Sequence, residues 1–341
     1  MKKIISLILT AVMIITVISA STAVAGATTY INDGDWLLAL YSDDAYLIGG
    51  YNGTDTELVF PESANGKAII GVAEDFADKC ESGITSVTMP DSFTIIEPFA
   101  FYGCNTLGTV KFPSSLTSVG TMAFSNCTAL GGVDLSSATG LSSISGSCFS
   151  GCSSLSFAKL PDSLSTISSS AFSNTALESI VIPENVTTLG SYCFNGCKSL
   201  SDVVLPNGLT TIGEYAFYND TALTSVYVPI SVSSIGAYAF HPMGVEGSTL
   251  TLDCYAGTYA ATYAYDNSLN FTGDMLDKGD VDGDGDADIR DVTYIQLYRV
   301  ELYEIASDAK TIDRVDVTGD YKVTLRDATK IQLSLLGLDK L

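Results

Sequence analysis

The chain has 341 residues and is strongly acidic, with 39 Asp and Glu residues against 16 Lys and Arg residues and a formal net charge of −23. Residues 26–275 contain only five cationic side chains, all of them lysines. A surface of this charge repels phosphate backbones and anionic lipids. The composition therefore argues against nucleic acid as a partner and favours solubility and cation binding.

Residues 1–25 have the pattern of a secretory signal peptide. Lys2 and Lys3 precede an apolar run over residues 4–18, and Ala23-Val24-Ala25 forms a small-x-small cleavage site. A membrane anchor would need about 20 apolar residues, and serine and threonine interrupt this run. The pattern therefore predicts secretion, with no membrane insertion after the signal peptide is cleaved.

A phenylalanine recurs eight times between residues 72 and 243, at intervals of 22 to 25 residues. The recurring residues are Phe76, Phe101, Phe124, Phe149, Phe172, Phe194, Phe217 and Phe240. A fixed period of this length is typical of a solenoid, in which each repeat buries its apolar face only by packing against the next.

Each repeat has the same internal pattern. Eleven residues before the phenylalanine, most repeats have a proline that follows a short alternating apolar stretch. The alternation predicts a strand, which the proline ends because it has no N–H to give to the ladder. Four repeats have a glycine four residues before the phenylalanine, for which we expect a bend with positive φ. These glycines are Gly120, Gly190, Gly213 and Gly236.

The LPxSLxxIGxxAFxxC pattern resembles the BspA-type leucine-rich repeats of secreted and surface bacterial proteins, over residues 44–272. The resemblance implies a curved, strand-rich solenoid that is used for binding rather than for chemistry. Residues 36–71 resemble the N-terminal cap of such a solenoid, with Trp36 in the cap core. Residues 250–271 resemble its closing cap, with a strand, a glycine turn and a short helix around residues 260–265.

Most of the eight cysteines occupy repeated positions, either three residues after the phenylalanine or directly before it. These small ladder positions favour free thiols, although disulfides between neighbouring repeats stay open as an alternative. His241 is the only histidine and no Cys-x-x-Cys occurs, so neither a zinc site nor a Ser-His-Asp triad is expected. We expect no enzymatic activity, although composition alone leaves a carboxylate pair for glycoside hydrolysis possible.

After residue 275 the sequence changes to a pattern of calcium-binding loops. Residues 280–291 have aspartate at loop positions 1, 3, 5, 7, 9 and 12 and Gly285 at position 6, as in an EF-hand loop. A second copy follows at an offset of 36 residues, with Tyr321 at position 6. The predicted Ca²⁺ ligands are Asp280, Asp282, Asp284, Asp286, Asp288 and Asp291 in the first loop, and Asp316, Thr318, Asp320, Lys322, Thr324 and Asp327 in the second. Because Thr318, Tyr321 and Thr324 depart from the usual residues, we expect the second site to be weaker.

These two units, each a loop followed by a helix, resemble a type I dockerin over residues 276–341. The resemblance implies a small all-α domain that folds with bound Ca²⁺ and docks to a cohesin module of a scaffoldin, in a cellulosome-like complex that degrades polysaccharide. Cohesin choice in that family depends on loop positions 10 and 11. The candidate cohesin contacts are Ile289, Arg290, Leu325, Arg326, Gln296 and Gln332. The familiar Ser/Thr pair is missing at positions 10 and 11, so the cohesin class stays open.

Two columns of exposed side chains are the candidate ligand-binding surface of the solenoid. The first lies two residues before the proline position, which we take as the outward-facing middle of each strand, and the second lies two residues before the repeated phenylalanine. Their last three members are Val181, Val204 and Tyr227, and Tyr192, Tyr215 and Tyr238. A contiguous apolar and aromatic patch indicates a partner, whereas the plain alternative is that such residues simply favour strands.

The sequence as a whole predicts a secreted, non-catalytic binding protein attached to a scaffoldin, with a protein or polysaccharide ligand on its solenoid. Two alternatives remain, an accessory or hydrolytic subunit of a polysaccharide-degrading complex and a structural spacer.

Overall fold

The structure is a computed structural model that describes residues 30–74, 76–79, 83–241, 250–254, 258–272, 330 and 331. Between residues 57 and 272 the chain forms a strand-rich solenoid around one continuous hydrophobic core. Each repeat passes through three hydrogen-bonded ladders, which we call the long ladder, the short ladder and the turn ladder. The ladders run along the solenoid and join each repeat to the next.

The N-terminal cap closes one end of the core with a small sheet. Its elements are β1 (Tyr30–Asp33), β2 (Trp36–Ser42), β3 (Ala45–Tyr51), β5 (Ser63–Ala64), β6 (Lys67–Val72) and a 3₁₀ helix (Ala77–Lys79). Strands β1, β2 and β3 are antiparallel, and β3 pairs in parallel with β6. Trp36 packs on Tyr51 and Phe60, with ring centroids 4.6 and 5.4 Å apart, which confirms that Trp36 belongs to the cap core.

The long ladder consists of three-residue strands, which pair in parallel and in register within four successive groups. They are β4 (Glu57–Val59), β7 (Ser86–Thr88), β9 (Thr109–Lys111), β11 (Gly132–Asp134), β13 (Phe157–Lys159), β15 (Ser179–Val181), β17 (Asp202–Val204), β19 (Ser225–Tyr227) and β21 (Thr251–Asp253). Side chains alternate along a strand, so the central residue faces the core and its two neighbours face outward. The position that we took as the middle of each strand is therefore its last residue, although it does face outward as predicted.

The short ladder consists of two-residue strands on another side of the repeat. They are β8 (Ile95–Ile96), β10 (Ser118–Val119), β12 (Ser143–Ile144), β14 (Thr166–Ile167), β16 (Thr188–Leu189), β18 (Thr211–Ile212) and β20 (Ser234–Ile235). The second residue of each is buried. Just before several of these strands a hydroxyl donates to a carbonyl of the preceding repeat, for example Thr117 Oγ1 to Thr94 O at 3.0 Å.

The turn ladder surrounds the repeated phenylalanine. Backbone N–H groups at and two residues either side of the phenylalanine donate to carbonyls of the next repeat, as in Phe194 N to Ala216 O at 2.9 Å. The phenylalanine rings are held one repeat apart by this ladder. From Phe101 to Phe240 successive rings stack with centroids 4.9 to 5.6 Å apart.

The expectation of positive φ at Gly120, Gly190, Gly213 and Gly236 is wrong. Positive φ occurs instead at two other positions, two residues before the phenylalanine and two residues after it. At the second of these positions glycine and asparagine alternate from repeat to repeat, as Gly103, Asn126, Gly151, Asn174, Gly196 and Asn219. The four glycines are needed because the preceding repeat comes too close for a side chain. A Cβ at Gly213 would lie 2.5 Å from the backbone nitrogen of Ser191.

Gly213→Ala is therefore expected to lower the free energy of unfolding by about 1–3 kcal/mol, because the added methyl group must push two repeats apart. Chemical denaturation followed by circular dichroism measures this loss. Gly146→Ala is the matched control, since a Cβ there meets nothing closer than the Ser169 carbonyl oxygen at 3.6 Å. Equal stability of the two variants would contradict the close-approach explanation.

The cysteines that the structure describes are free thiols, which confirms the favoured interpretation; Cys80 lies outside the described residues. Cys127, Cys152 and Cys197 each donate from Sγ, at 3.1 Å, to the carbonyl of the repeated phenylalanine one repeat earlier. Burial raises the pKa of Cys197 to about 12. These thiols are packing groups of low reactivity, because the thiolate is the reactive form.

The closing cap follows the predicted order of strand and helix. Strand β21 is followed by the helix α1 (Tyr259–Asp266) and the strand β22 (Asn270–Thr272), which pairs in parallel with β21. The hydroxyl of Thr258 caps α1 by accepting from the Ala261 N–H at 3.3 Å. Within the described ranges, no helix has the length and apolar character needed to cross a membrane.

Candidate functional site

The strand column predicted from the sequence lies on the outer face of the long ladder. Val181 and Val204 are 64% and 47% exposed, and Tyr227 is half-buried. In earlier repeats the same column carries charge, and Lys159 Nζ lies 3.5 Å from Asp134 Oδ2. The column thus changes from charged to apolar towards the C-terminal repeats, as predicted.

The second column forms what we call the tyrosine stack, Tyr192, Tyr215 and Tyr238. The ring centroids of Tyr192 and Tyr215 are 4.8 Å apart with an interplanar angle of 6°, and those of Tyr215 and Tyr238 are 5.2 Å apart at 23°. Tyr192 and Tyr238 are 40% and 48% exposed. Three flat aromatic rings are therefore held in contact with one another on the protein surface.

The backbone of the turn ladder sets the position of these rings. The three tyrosines have φ values of 61°, 55° and 57°, in the left-handed region, which costs a residue other than glycine about 1–2 kcal/mol. The N–H of Tyr192 donates to Glu214 O at 2.8 Å and that of Tyr215 to Ala237 O at 3.0 Å. Identical conformations one repeat apart bring identical side chains into parallel contact.

Where its members meet, the stack presents ring edges and hydroxyl groups rather than ring faces. Each face between two neighbours is covered by the next ring, and His241 packs edge-on against Tyr238 at 5.3 Å. Desolvation, followed by the proximity of Tyr192 and Tyr238, raises the pKa of Tyr215. At neutral pH its phenol is therefore an uncharged group that can both donate and accept a hydrogen bond.

The two columns do not form the single contiguous patch that the sequence suggested. The strand column belongs to the long ladder and the tyrosine stack belongs to the turn ladder, which are separate sides of the repeat. Tyr227 and Tyr238 are eleven residues apart along the chain, with the short ladder between them. Each column is therefore a surface of its own.

A cavity at the N-terminal end was missed by the sequence analysis. It has a volume of about 550 Å³ and lies between the N-terminal cap and the first repeats. Its lining includes Tyr41, Phe99 and Tyr102 together with Glu74 and Glu97. No periodic signal marks these residues; the one available clue is Phe99, which occupies the same repeat position as the tyrosine stack.

The described ranges contain no candidate metal centre. Among these residues no group of three or more His, Cys, Asp or Glu side chains is placed to hold a metal ion. His241 contacts Tyr238 and, within the same ranges, its Nδ1 has no hydrogen-bond partner.

The predicted calcium and cohesin residues lie outside the described part of the chain. Only Lys330 and Ile331 of residues 276–341 are described, and both are helical. The positions outside it are Asp280, Asp282, Asp284, Asp286, Asp288, Asp291, Asp316, Thr318, Asp320, Lys322, Thr324 and Asp327 for calcium, and Ile289, Arg290, Leu325, Arg326, Gln296 and Gln332 for cohesin. These assignments stay predictions.

Comparison with known proteins identifies the repeats. The family model of the BspA type leucine rich repeat region matches residues 74–139 and 133–245, in six copies. A leucine rich cell surface protein from Faecalibacterium prausnitzii is 22% identical, over 72% of this chain and 94% of that one, with a TM-score of 0.44. The T. pallidum leucine rich repeat protein is 21% identical, over 74% and 99%, with a TM-score of 0.43. The pneumococcal vaccine antigen PcpA is 14% identical, over 72% and 98%, with a TM-score of 0.36. No curated protein matches the chain.

Proposed function

Because the chain belongs to the BspA-type leucine-rich repeat family, we propose that it is a secreted, non-catalytic binding protein. Its solenoid holds a protein ligand, and its C-terminal segment attaches it to a scaffoldin. The observation that carries the first part is the tyrosine stack, in which three aromatic side chains are held in register, with Tyr192 and Tyr238 exposed and Tyr215 half-buried between them. Soluble proteins seldom leave such a patch without a partner.

The geometry of the stack favours a protein ligand over a polysaccharide. A sugar ring that stacks on tyrosine needs an open ring face, and the faces between the three tyrosines cover one another. Ring edges and hydroxyl groups remain, and they suit a surface that offers both apolar contact and hydrogen-bond partners. Tyrosine is also among the residues that contribute most to protein interfaces.

Replacement of Tyr192, Tyr215 and Tyr238 by serine is expected to weaken retention of the protein ligand by about 30-fold or more. Serine suits this position because Ser147 and Ser170 already occupy it in earlier repeats, with φ of 53° and 58°. The immobilised full chain is exposed to proteins of the culture medium, and each retained protein is quantified by mass spectrometry.

The matched control for this experiment is Val181→Thr with Val204→Thr, which alters the strand column and leaves the stack intact. A protein ligand of the stack is lost from the serine variant and kept by the threonine variant. Equal retention by the serine variant and the parent contradicts the proposal. Sedimentation with insoluble cellulose that depends on the three tyrosines would instead favour the polysaccharide alternative.

For the C-terminal segment we propose calcium-dependent docking to a cohesin. The six aspartates of residues 280–291 repel one another unless a cation binds between them. Ca²⁺ at about 100 times its dissociation constant would stabilise the folded segment by about 2.7 kcal/mol. The full chain is therefore expected to bind an immobilised type I cohesin in calcium and to lose this binding in chelator. Binding that is unchanged by chelator would contradict the dockerin assignment.

The two proposed calcium sites differ in strength. Tyr321 takes the loop position where Gly285 stands in the first copy, and it must either enter the left-handed region, at a cost of about 1–2 kcal/mol, or distort the loop. With Thr318 in place of a carboxylate, we expect the second site to be about 10–100-fold weaker, at about 1.4 kcal/mol per tenfold change. Calorimetry on Asp291→Ala and Asp327→Ala distinguishes the sites, and loss of the tighter one in the Asp327 variant would contradict this order.

The two alternative functions, a hydrolytic subunit and a structural spacer, predict different assay results for the purified protein. A hydrolytic subunit would release reducing sugar from plant polysaccharide, and a structural spacer would bind cohesin while its solenoid retained nothing. Ligand retention that depends on the tyrosine stack, without sugar release, supports the binding protein.

A further inference from the structure

The N-terminal cavity has an apolar floor that is separate from the core of the solenoid. Ala39, Leu47 and Ala73 form a small hydrophobic cluster of their own on the outer face of the cap sheet, and all three line the cavity. Its volume of about 550 Å³ lies within the range of about 300–1,000 Å³ that is usual for ligand pockets. The floor is apolar, and its three residues are themselves almost fully buried.

Exposed aromatic rings form the walls of this cavity. Tyr41, Phe99 and Tyr102 line it and are exposed, and the rings of Phe99 and Tyr102 meet edge to face with centroids 6.0 Å apart. Phe99 has φ of 59°, and its N–H donates to Thr121 O at 3.0 Å. The turn ladder thus holds a large apolar side chain in a conformation that turns it out of the core.

Three carboxylates, Glu74, Asp78 and Glu97, also line the cavity. Glu97 is fixed in place because its Oε2 accepts the backbone N–H of Glu74 at 3.0 Å. In the described part of the chain no Lys or Arg forms an ion pair with any of the three. Nor do they lie together as a metal-binding group within that part. Within the described residues, their negative charge therefore lies at the cavity without a cationic side chain paired to it.

We propose that this cavity binds the arginine side chain of a basic peptide. A guanidinium group stacks on aromatic rings and forms paired hydrogen bonds with carboxylates, and the cavity places both next to an apolar floor. The same cap already contains one such contact, since Lys67 Nζ lies 5.4 Å from the ring centroid of Tyr46. The net charge of −23 attracts a basic peptide over a longer range.

The test is calorimetric titration of the full chain with the blocked tripeptide Gly-Arg-Gly and with the same peptide carrying citrulline. Citrulline has nearly the shape of arginine and no charge. We expect the arginine peptide to bind and the citrulline peptide to bind at least about tenfold more weakly. Equal affinity for the two peptides, or no binding of the arginine peptide, overturns the proposal.

Two variants locate the binding within the cavity. Phe99→Ser removes one wall and introduces the residue found at this position in other repeats, and Glu97→Gln removes a charge while it keeps an oxygen for the Glu74 N–H. Each is expected to weaken binding of the arginine peptide by about 5- to 10-fold. The controls are Met122→Ser, at the same position in the next repeat, and Glu178→Gln, on an exposed side chain outside the cavity lining.

Unchanged affinity in both cavity variants places the binding elsewhere and overturns the proposal, as does an equal loss in the controls. The serine variant of the tyrosine stack is expected to bind the arginine peptide like the parent. The outcome for this cavity is therefore independent of the outcome for the stack.

Discussion

Phe172→Ala is expected to lower the free energy of unfolding by about 3–5 kcal/mol. Phe172 is fully buried, and its ring lies between those of Phe149 and Phe194, at centroid distances of 5.4 and 5.6 Å and interplanar angles of 14° and 3°. Alanine leaves a cavity in the middle of this stack. The neighbouring rings cannot close over the cavity, because the turn ladder holds them one repeat apart.

Chemical denaturation of the full chain, followed by circular dichroism, measures the loss. Val181→Ala is the control, because Val181 is an exposed strand residue whose truncation is expected to change stability by no more than about 0.5 kcal/mol. In a solenoid each repeat contacts only its neighbours, so the Phe172 variant can also unfold in two steps where the parent unfolds in one. A loss no larger than that of the control would contradict the central role of the ring stack.

The periodic part of the fold could be predicted because it depends on short-range patterns. The spacing of Phe172 and its equivalents gives the repeat, alternation gives the strands, and the proline that follows most strands marks their end. The turn ladder could not be predicted in the same way. Its left-handed positions are occupied by Tyr192, Ser170 or Asn126 as readily as by glycine, because hydrogen bonds between repeats override the preference of the single residue.

Gly213 is a second case in which contacts between repeats decide the local structure. A glycine in a turn suggests positive φ, but the restriction here is the backbone of Ser191 one repeat away. Close approach between two repeats depends on how they stack. A pattern within one repeat does not contain that information. The sequence therefore marked Gly213 as a special position but gave the wrong reason for it, a positive φ instead of the close approach of Ser191.

The two candidate sites also differ in how far the sequence predicts them. The tyrosine stack could be predicted as a column because its members share one repeat position, although the covering of their faces depends on the ladder. The N-terminal cavity joins Tyr41 in the cap with Glu74 in the connection and Tyr102 in a repeat. No period relates these three residues, and only the folding of the cap against the first repeats brings them together.

Asp220→Asn is expected to stabilise the protein at neutral pH. Asp220 occupies the position that holds Cys197 one repeat earlier, and it is only 6% exposed. Its Oδ1 accepts the backbone N–H of Cys197 at 2.7 Å, and within the described ranges its Oδ2 has no hydrogen-bond partner. Burial raises the pKa of this carboxyl from 3.8 to about 9, and the hydrogen bonds from the backbone only partly oppose that shift.

The raised pKa fixes the direction of the pH dependence. The folded protein keeps the Asp220 proton up to about pH 9, whereas the unfolded chain releases it near pH 3.8, so the folded state holds more protons between these values. The contribution to stability is complete below pH 3.8 and is lost as the pH rises towards 9. Each pH unit in this window removes about 1.4 kcal/mol, or about 4 kcal/mol between pH 4 and pH 7.

Asparagine cannot ionise, and its side-chain oxygen can still accept the Cys197 N–H. The difference in unfolding free energy between Asp220→Asn and the parent is therefore expected to grow in favour of the variant by about 4 kcal/mol from pH 4 to pH 7. Denaturation curves of both proteins across this range measure the difference, in which the other titrating groups cancel. Asp202→Asn, on an exposed strand residue, is the control and is expected to show no such growth. A difference that stays constant with pH would mean that Asp220 is ionised in the folded protein, and that a partner for its Oδ2 offsets the cost of burial.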